Sequence, residues 1–104
     1  MTFTKRDDPS QKSGSCVLDA SPDMTIYAAA NNLTEIKNFY AEFNHLELNL
    51  SAVEEIDSSG IQLLLALKHS ADKEGKKVVL DSVSPSVEEV MNVLNVKAQF
   101  DWKK

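Results

Sequence analysis

The chain has 104 residues, of which 42% are hydrophobic and 26% charged, with three Gly and three Pro. That composition supports one compact domain over residues 1–104 and excludes a disordered, collagen-like or low-complexity chain. Eleven basic against sixteen acidic residues give a net charge of -5, so the clustered Lys and Arg that phosphate backbones require are missing and nucleic acid is excluded as a partner.

In chain order, Thr2 to Lys5 reads as a short strand and the polar stretch Asp7 to Ser15, with Pro9 and Gly14, as a loop. A second strand is expected over Cys16 to Ala20. From Thr25, a candidate N-cap, the residues Ala29, Leu33, Ile36, Tyr40 and Phe43 recur at the spacing of one helical stripe. LELNL at Leu46 to Leu50 alternates with the period of a strand, and Val53 and Ile56 carry the apolar signal to the polar turn Asp57-Ser58-Ser59-Gly60. Strong helix formers then run to Gly75, a helix stop. KKVVL at Lys76 to Leu80 reads as a buried strand. Ser84 is the N-cap of a third helix with Pro85 at its first position, and Val87, Val90, Met91 and Leu94 follow at i, i+3, i+4 and i+7. A last strand is expected within Ala98 to Trp102. Strands alternating with helices predict an α/β fold with right-handed crossovers and a mostly parallel sheet.

Few residues carry chemistry. His45 and His69 lack neighbours at ligand spacing, so no metal is expected. Neither G-x-x-x-x-G-K-[ST] nor G-x-G-x-x-G occurs, and no cofactor is expected. Ser58, His69 and Asp57 form a triad on paper only, and Ser59-Gly60 lacks the G-x-S-x-G elbow. Glu54, Glu55 and Asp57 read as a solvated acidic run. Cys16 is the single cysteine and cannot form an intrachain disulfide. The first residues show no apolar leader. The longest apolar stretch, Ile61 to Leu67, is interrupted by Gln62, so a cytoplasmic chain without direct membrane insertion is expected.

What remains is DSSG, where a strand ends and a helix begins, the edge at which open α/β sheets gather ligands and partners. Ser58 occupies the position expected of an N-cap and Gly60 that of a tight turn. The helix that follows is apolar on more than one side, which leaves Leu63 and Leu67 on a second stripe to face a partner or a second copy of the chain.

The stretch from Leu46 to Val96 resembles the STAS domain (sulfate transporter and anti-sigma factor antagonist). It carries the family's D-S-[ST]-G at Asp57 to Gly60, a K-x-x-x-L strand at Lys76 to Leu80 and an S-P-x-V helix at Ser84 to Val87. The resemblance implies a small mixed sheet of about five strands with three to four helices, and a protein that binds partners instead of catalysing. In anti-sigma factor antagonists the serine directly after the Asp is phosphorylated by a kinase that is also the anti-sigma factor, and that position here is Ser58. Many members carry G-E-L-D before the first helix at the surface that meets the kinase. This chain has Ser21-Pro22-Asp23-Met24-Thr25 there, with Thr25 in place of the usual Asp and Asp23 nearby. The resemblance therefore implies a partner surface of Asp23, Thr25, Asp57, Ser58, Ser59, Gly60, Gln62, Leu63 and Leu67. It also implies an anti-sigma factor or serine kinase and a phosphatase as partners. The alternative is a non-switching STAS subunit of a chemotaxis-like signalling complex or of a phospholipid-transporting ABC system. A hydrolase using Ser58 lacks a base and oxyanion glycines.

Overall fold

In the computed structural model, the described residues are 3–6, 14–20, 22–24 and 29–103. Alternation along the central strands sets the layers. In β2 (Ser15–Ala20), β4 (His45–Leu50) and β6 (Lys77–Val83), alternate residues are buried on one face: Cys16, Leu18 and Ala20, then Leu46, Leu48 and Leu50, then Val78 and Leu80, with Val17 buried between them. These join one core with Ile36 of α1 (Ala29–Glu42), Ile61, Leu64 and Ala71 of α2 (Ser58–Glu74), and Val87 and Met91 of α3 (Pro85–Leu94).

The intervening residues point to the opposite face. There Arg6 pairs with Asp19 at 2.6 Å, Asn49 donates to Asp19 at 2.8 Å, and Lys103 reaches Glu47 at 3.1 Å. A face held by polar pairs needs no helix over it, so the fold is a two-layer α/β arrangement.

The five-stranded sheet has the order β1-β2-β4-β6-β7, with β1 at Phe3–Lys5 and β7 at Asp101–Trp102. Only the β1/β2 pair is antiparallel; β2/β4, β4/β6 and β6/β7 are parallel. A second, two-stranded parallel sheet joins β3 (Asp23–Met24) to β5 (Glu55–Ile56). The backbone amides of Glu54 and Glu55 both donate to the Pro22 carbonyl, at 2.8 and 2.9 Å. Sequence alternation did not show these two strands, because two residues are too few to display a period.

Two expected boundaries move. The strand expected at Lys76 to Leu80 runs on to Val83, because Val83 pairs with Leu50 beyond a register shift in β4. The expected Ala98 to Trp102 strand is split: Lys97–Gln99 form a 3-10 turn and only Asp101–Trp102 pair, the Trp102 indole donating to the Lys97 carbonyl at 3.0 Å. The third helix starts as expected, with Ser84 Oγ accepting from Val87 N at 3.2 Å. Gly75 closes α2 in the left-handed region at φ 72°, its amide bonded to the Ala71 carbonyl. Thr25 and most of the Asp7 to Ser15 loop lie outside the described residues; of that loop Gly14 is a turn and Ser15 already belongs to β2.

Candidate functional site

The strand-to-helix junction at DSSG is built differently from its sequence reading. Asp57 is extended (φ -127°, ψ -173°), and its side chain accepts from the Ser59 amide at 2.9 Å, so Asp57 is the N-cap of α2. The amides of Gly60 and Ile61 bond back to the Asp57 carbonyl at 3.1 and 3.4 Å. Ser58 is therefore not the cap. It is the first helical residue, exposed to solvent, while Ser59 is half-buried. A carboxylate one residue earlier competes for the same orphan amides and also complements the positive end of the helix dipole.

Gly60 also differs from expectation. Its backbone is not in the left-handed region; the residue is fully inside the helix and buried. A β-carbon there would overlap the Met24 carbonyl oxygen and lie 2.9 Å from Ile56 Cγ1. Glycine is required by close approach of the β3/β5 pair and not by turn geometry.

That pairing brings Asp23, in register with Glu55, to the junction. Asp23, Glu54 and Glu55 are exposed and Asp57 is half-buried. The segments that build this end, Ala20 to Met24 and Leu50 to Leu67, contain no Lys or Arg. Ser58 thus stands on an acidic rim drawn from two separate parts of the chain.

Along α2, Gln62 is exposed and Leu63 half-buried, whereas Leu67 is only 8% exposed and belongs to the core. The expectation that Leu67 lies on an exposed stripe is corrected: α1 packs over that side of the helix. Between the two helices an open groove of about 270 Å³ remains, lined by Ile36, Lys37 and Tyr40 from α1 and by Leu63, Ala66 and Leu67 from α2. At its end the Tyr40 hydroxyl donates to Glu74 at 2.9 Å, and Lys76 lies 4.3 Å from the ring centroid. Burial, with the Glu74 carboxylate added to it, pushes the Tyr40 phenol up to about 12. The helical stripe identified Ile36 and Tyr40; the groove itself has no signature in sequence, because it depends on how α1 lies against α2.

Chemistry at the junction is limited by this geometry. Ser58 and His69 lie on one helix, about 16 Å apart along its axis at 1.5 Å per residue, so the paper triad does not assemble. Among the described residues no group of three His, Cys, Asp or Glu is placed to hold a metal ion, and no helix is long and apolar enough to cross a membrane.

The family model described as Mlab, STAS domain matches residues 8–98. No curated protein matches the sequence. Among solved structures, an anti-sigma factor antagonist from Mycobacterium paratuberculosis is similar with a TM-score of 0.80 at 22% identity, over 97% of this chain and 83% of that one. The anti-sigma factor antagonist SpoIIAA in its unphosphorylated form gives 0.73 at 15% identity, over 98% and 88% of the two chains. The phosphorylated form of SpoIIAA, a Bacillus cell fate determinant, gives 0.69 at 15% identity, over 98% and 91%. These likenesses establish a shared fold, and with the family match over most of its length the chain belongs to the STAS domain family.

Proposed function

We propose that this chain is a non-catalytic partner-binding domain of the anti-sigma factor antagonist kind, switched by phosphate on Ser58. The observation that carries the reading is the division of labour at the start of α2. Asp57 caps the helix, so the exposed Ser58 hydroxyl is released from a structural duty and open to a kinase. The docking surface is the junction with its acidic rim, Asp23, Glu54, Glu55 and Asp57, continued along Gln62 and Leu63. The partner is an anti-sigma factor acting as serine kinase, with a phosphatase to reverse the mark.

Electrostatics supply the switch. A phosphoserine adds a charge of about -1.5 to -2, which a helix N-terminus accommodates through its amides and dipole. The same dianion sits beside Asp57, Glu54 and Glu55. A partner that covers Ser58 with apolar or acidic surface must then strip water from the phosphate and face added repulsion, so affinity falls while the fold persists.

The test starts from protein isolated from its own cells, with phosphate mapped by mass spectrometry and the bound partner identified by cross-linking. Phosphate on Ser58, retained binding by Ser58→Ala and weakened binding by Ser58→Asp are the expected results. Phosphate on Ser59 instead overturns the assignment of the switch. Equal affinity of Ser58→Asp and the wild type means a constitutive subunit of a larger assembly.

A further inference from the structure

Two surfaces of the molecule are complementary to each other and lie on different elements. The first is the α1–α2 groove. Its volume of about 270 Å³ is below the roughly 300–1,000 Å³ of sites that enclose a small molecule, and it suits a single apolar side chain inserted from a macromolecule. Its Tyr40 wall is held before anything binds, the hydroxyl by Glu74 at 2.9 Å and the ring by Lys76, whose amine also donates to the Tyr40 carbonyl at 2.6 Å. A fixed wall loses little freedom on docking. At the groove edge, Lys37 is exposed and makes no ion pair with any described residue. The occupant should therefore bring an apolar anchor and a carboxylate.

The second surface, on α3, presents that combination. Val93 is 78% exposed and Leu94 41%, the large exposed hydrophobics among the described residues. Glu89 precedes Val93 by four residues, so the two share one face of the helix, and Glu89 is exposed and unpaired among the described residues, whereas its neighbour Glu88 is held by Lys97 at 2.8 Å. We infer that the chain associates head to tail with a second copy of itself, Val93 and Leu94 of one molecule entering the α1–α2 groove of the next and Glu89 meeting Lys37.

Because donor and acceptor surfaces are different, the contact is heterologous: an open assembly keeps an unused groove at one end and an unused anchor at the other, and growth continues unless a ring closes. One anchor pair and one exposed ion pair make an interface smaller than the standard of about 1,600 Å², so association is weak and concentration-dependent. The inference does not depend on phosphorylation of Ser58 or on any other partner.

Sedimentation velocity over a wide concentration series tests it. The wild type should shift from monomer to larger species with rising concentration. Val93→Asp, which removes the anchor, and Ala66→Trp, which fills the groove, should each remain monomeric, with unfolding midpoints checked against the wild type. An equimolar mixture of the two should form a heterodimer and nothing larger, since Val93→Asp retains a groove and Ala66→Trp retains an anchor. Lys37→Glu should weaken association at least several-fold, and Lys37→Glu with Glu89→Lys should restore it. A wild type that stays monomeric at every concentration overturns the inference. So does an associating wild type whose two variants fail to complement, because an interface elsewhere is then responsible. If either single variant is unfolded, the charge-reversal pair alone decides: loss without restoration counts against the contact.

Discussion

Gly60 of α2 lies so close to the carbonyl of Met24 that a β-carbon on residue 60 would overlap that oxygen and lie only 2.9 Å from Ile56 Cγ1. This contact, between residues 36 positions apart, is where the β3/β5 pair is pressed against the first turn of α2.

Gly60→Ala should therefore destabilise the domain by about 1–3 kcal/mol through overpacking, although alanine is the better helix former. For a domain of this size that lowers the unfolding midpoint by about 4–8 °C per kcal/mol. Thermal denaturation followed by circular dichroism measures it; an unchanged or raised midpoint would show that Met24 yields freely.

The cap assignment separates two neighbours. Asp57→Ala removes the acceptor of the Ser59 amide bond and should cost about 0.5–2 kcal/mol, while Ser58→Ala, at an exposed first position, should stay within about 0.5 kcal/mol of the wild type. Urea titration of both variants decides between them, and the reverse order of stabilities would return the cap to Ser58.

Leu63 and Leu67 should likewise part company. Leu67→Ala deletes a core side chain and is expected to cost about 2–5 kcal/mol, whereas half-buried Leu63 loses less, because part of its side chain already meets solvent. Comparable losses in denaturant unfolding would mean that both are core residues.

Tyr40 gives a pH signature. Its folded phenol is raised to about 12 against an ordinary value near 10, so the fold favours the protonated form. The associated stability is fully present below about pH 10 and is lost as pH rises through about 12. In a Tyr27→Phe background, ultraviolet titration should place the tyrosinate midpoint there, and Glu74→Gln should bring it down by removing the nearby negative charge. A midpoint near 10 with Glu74 in place would show that Tyr40 is not held in the groove wall.

Much of this architecture was legible along the chain because its signals are local. Alternation in LELNL, the Ser84-Pro85 start and the Gly75 stop each follow from backbone sterics and from orphan helix-end groups, which neighbouring residues satisfy. The DSSG junction and its family resemblance were equally visible. Which serine or carboxylate capped the helix was not, because Asp57 and Ser58 are both good caps and the choice depends on the extended backbone that β5 imposes on Asp57. Gly60 looked like a turn glycine until Met24 arrived from a distant segment, and Leu67 looked exposed until α1 covered it. Local sequence determined the order of the helices and the longer strands; contacts between residues tens of positions apart decided where strands end by pairing and which side chains at the junction are exposed, because pairing, burial and close approach exist only once separate segments are packed together.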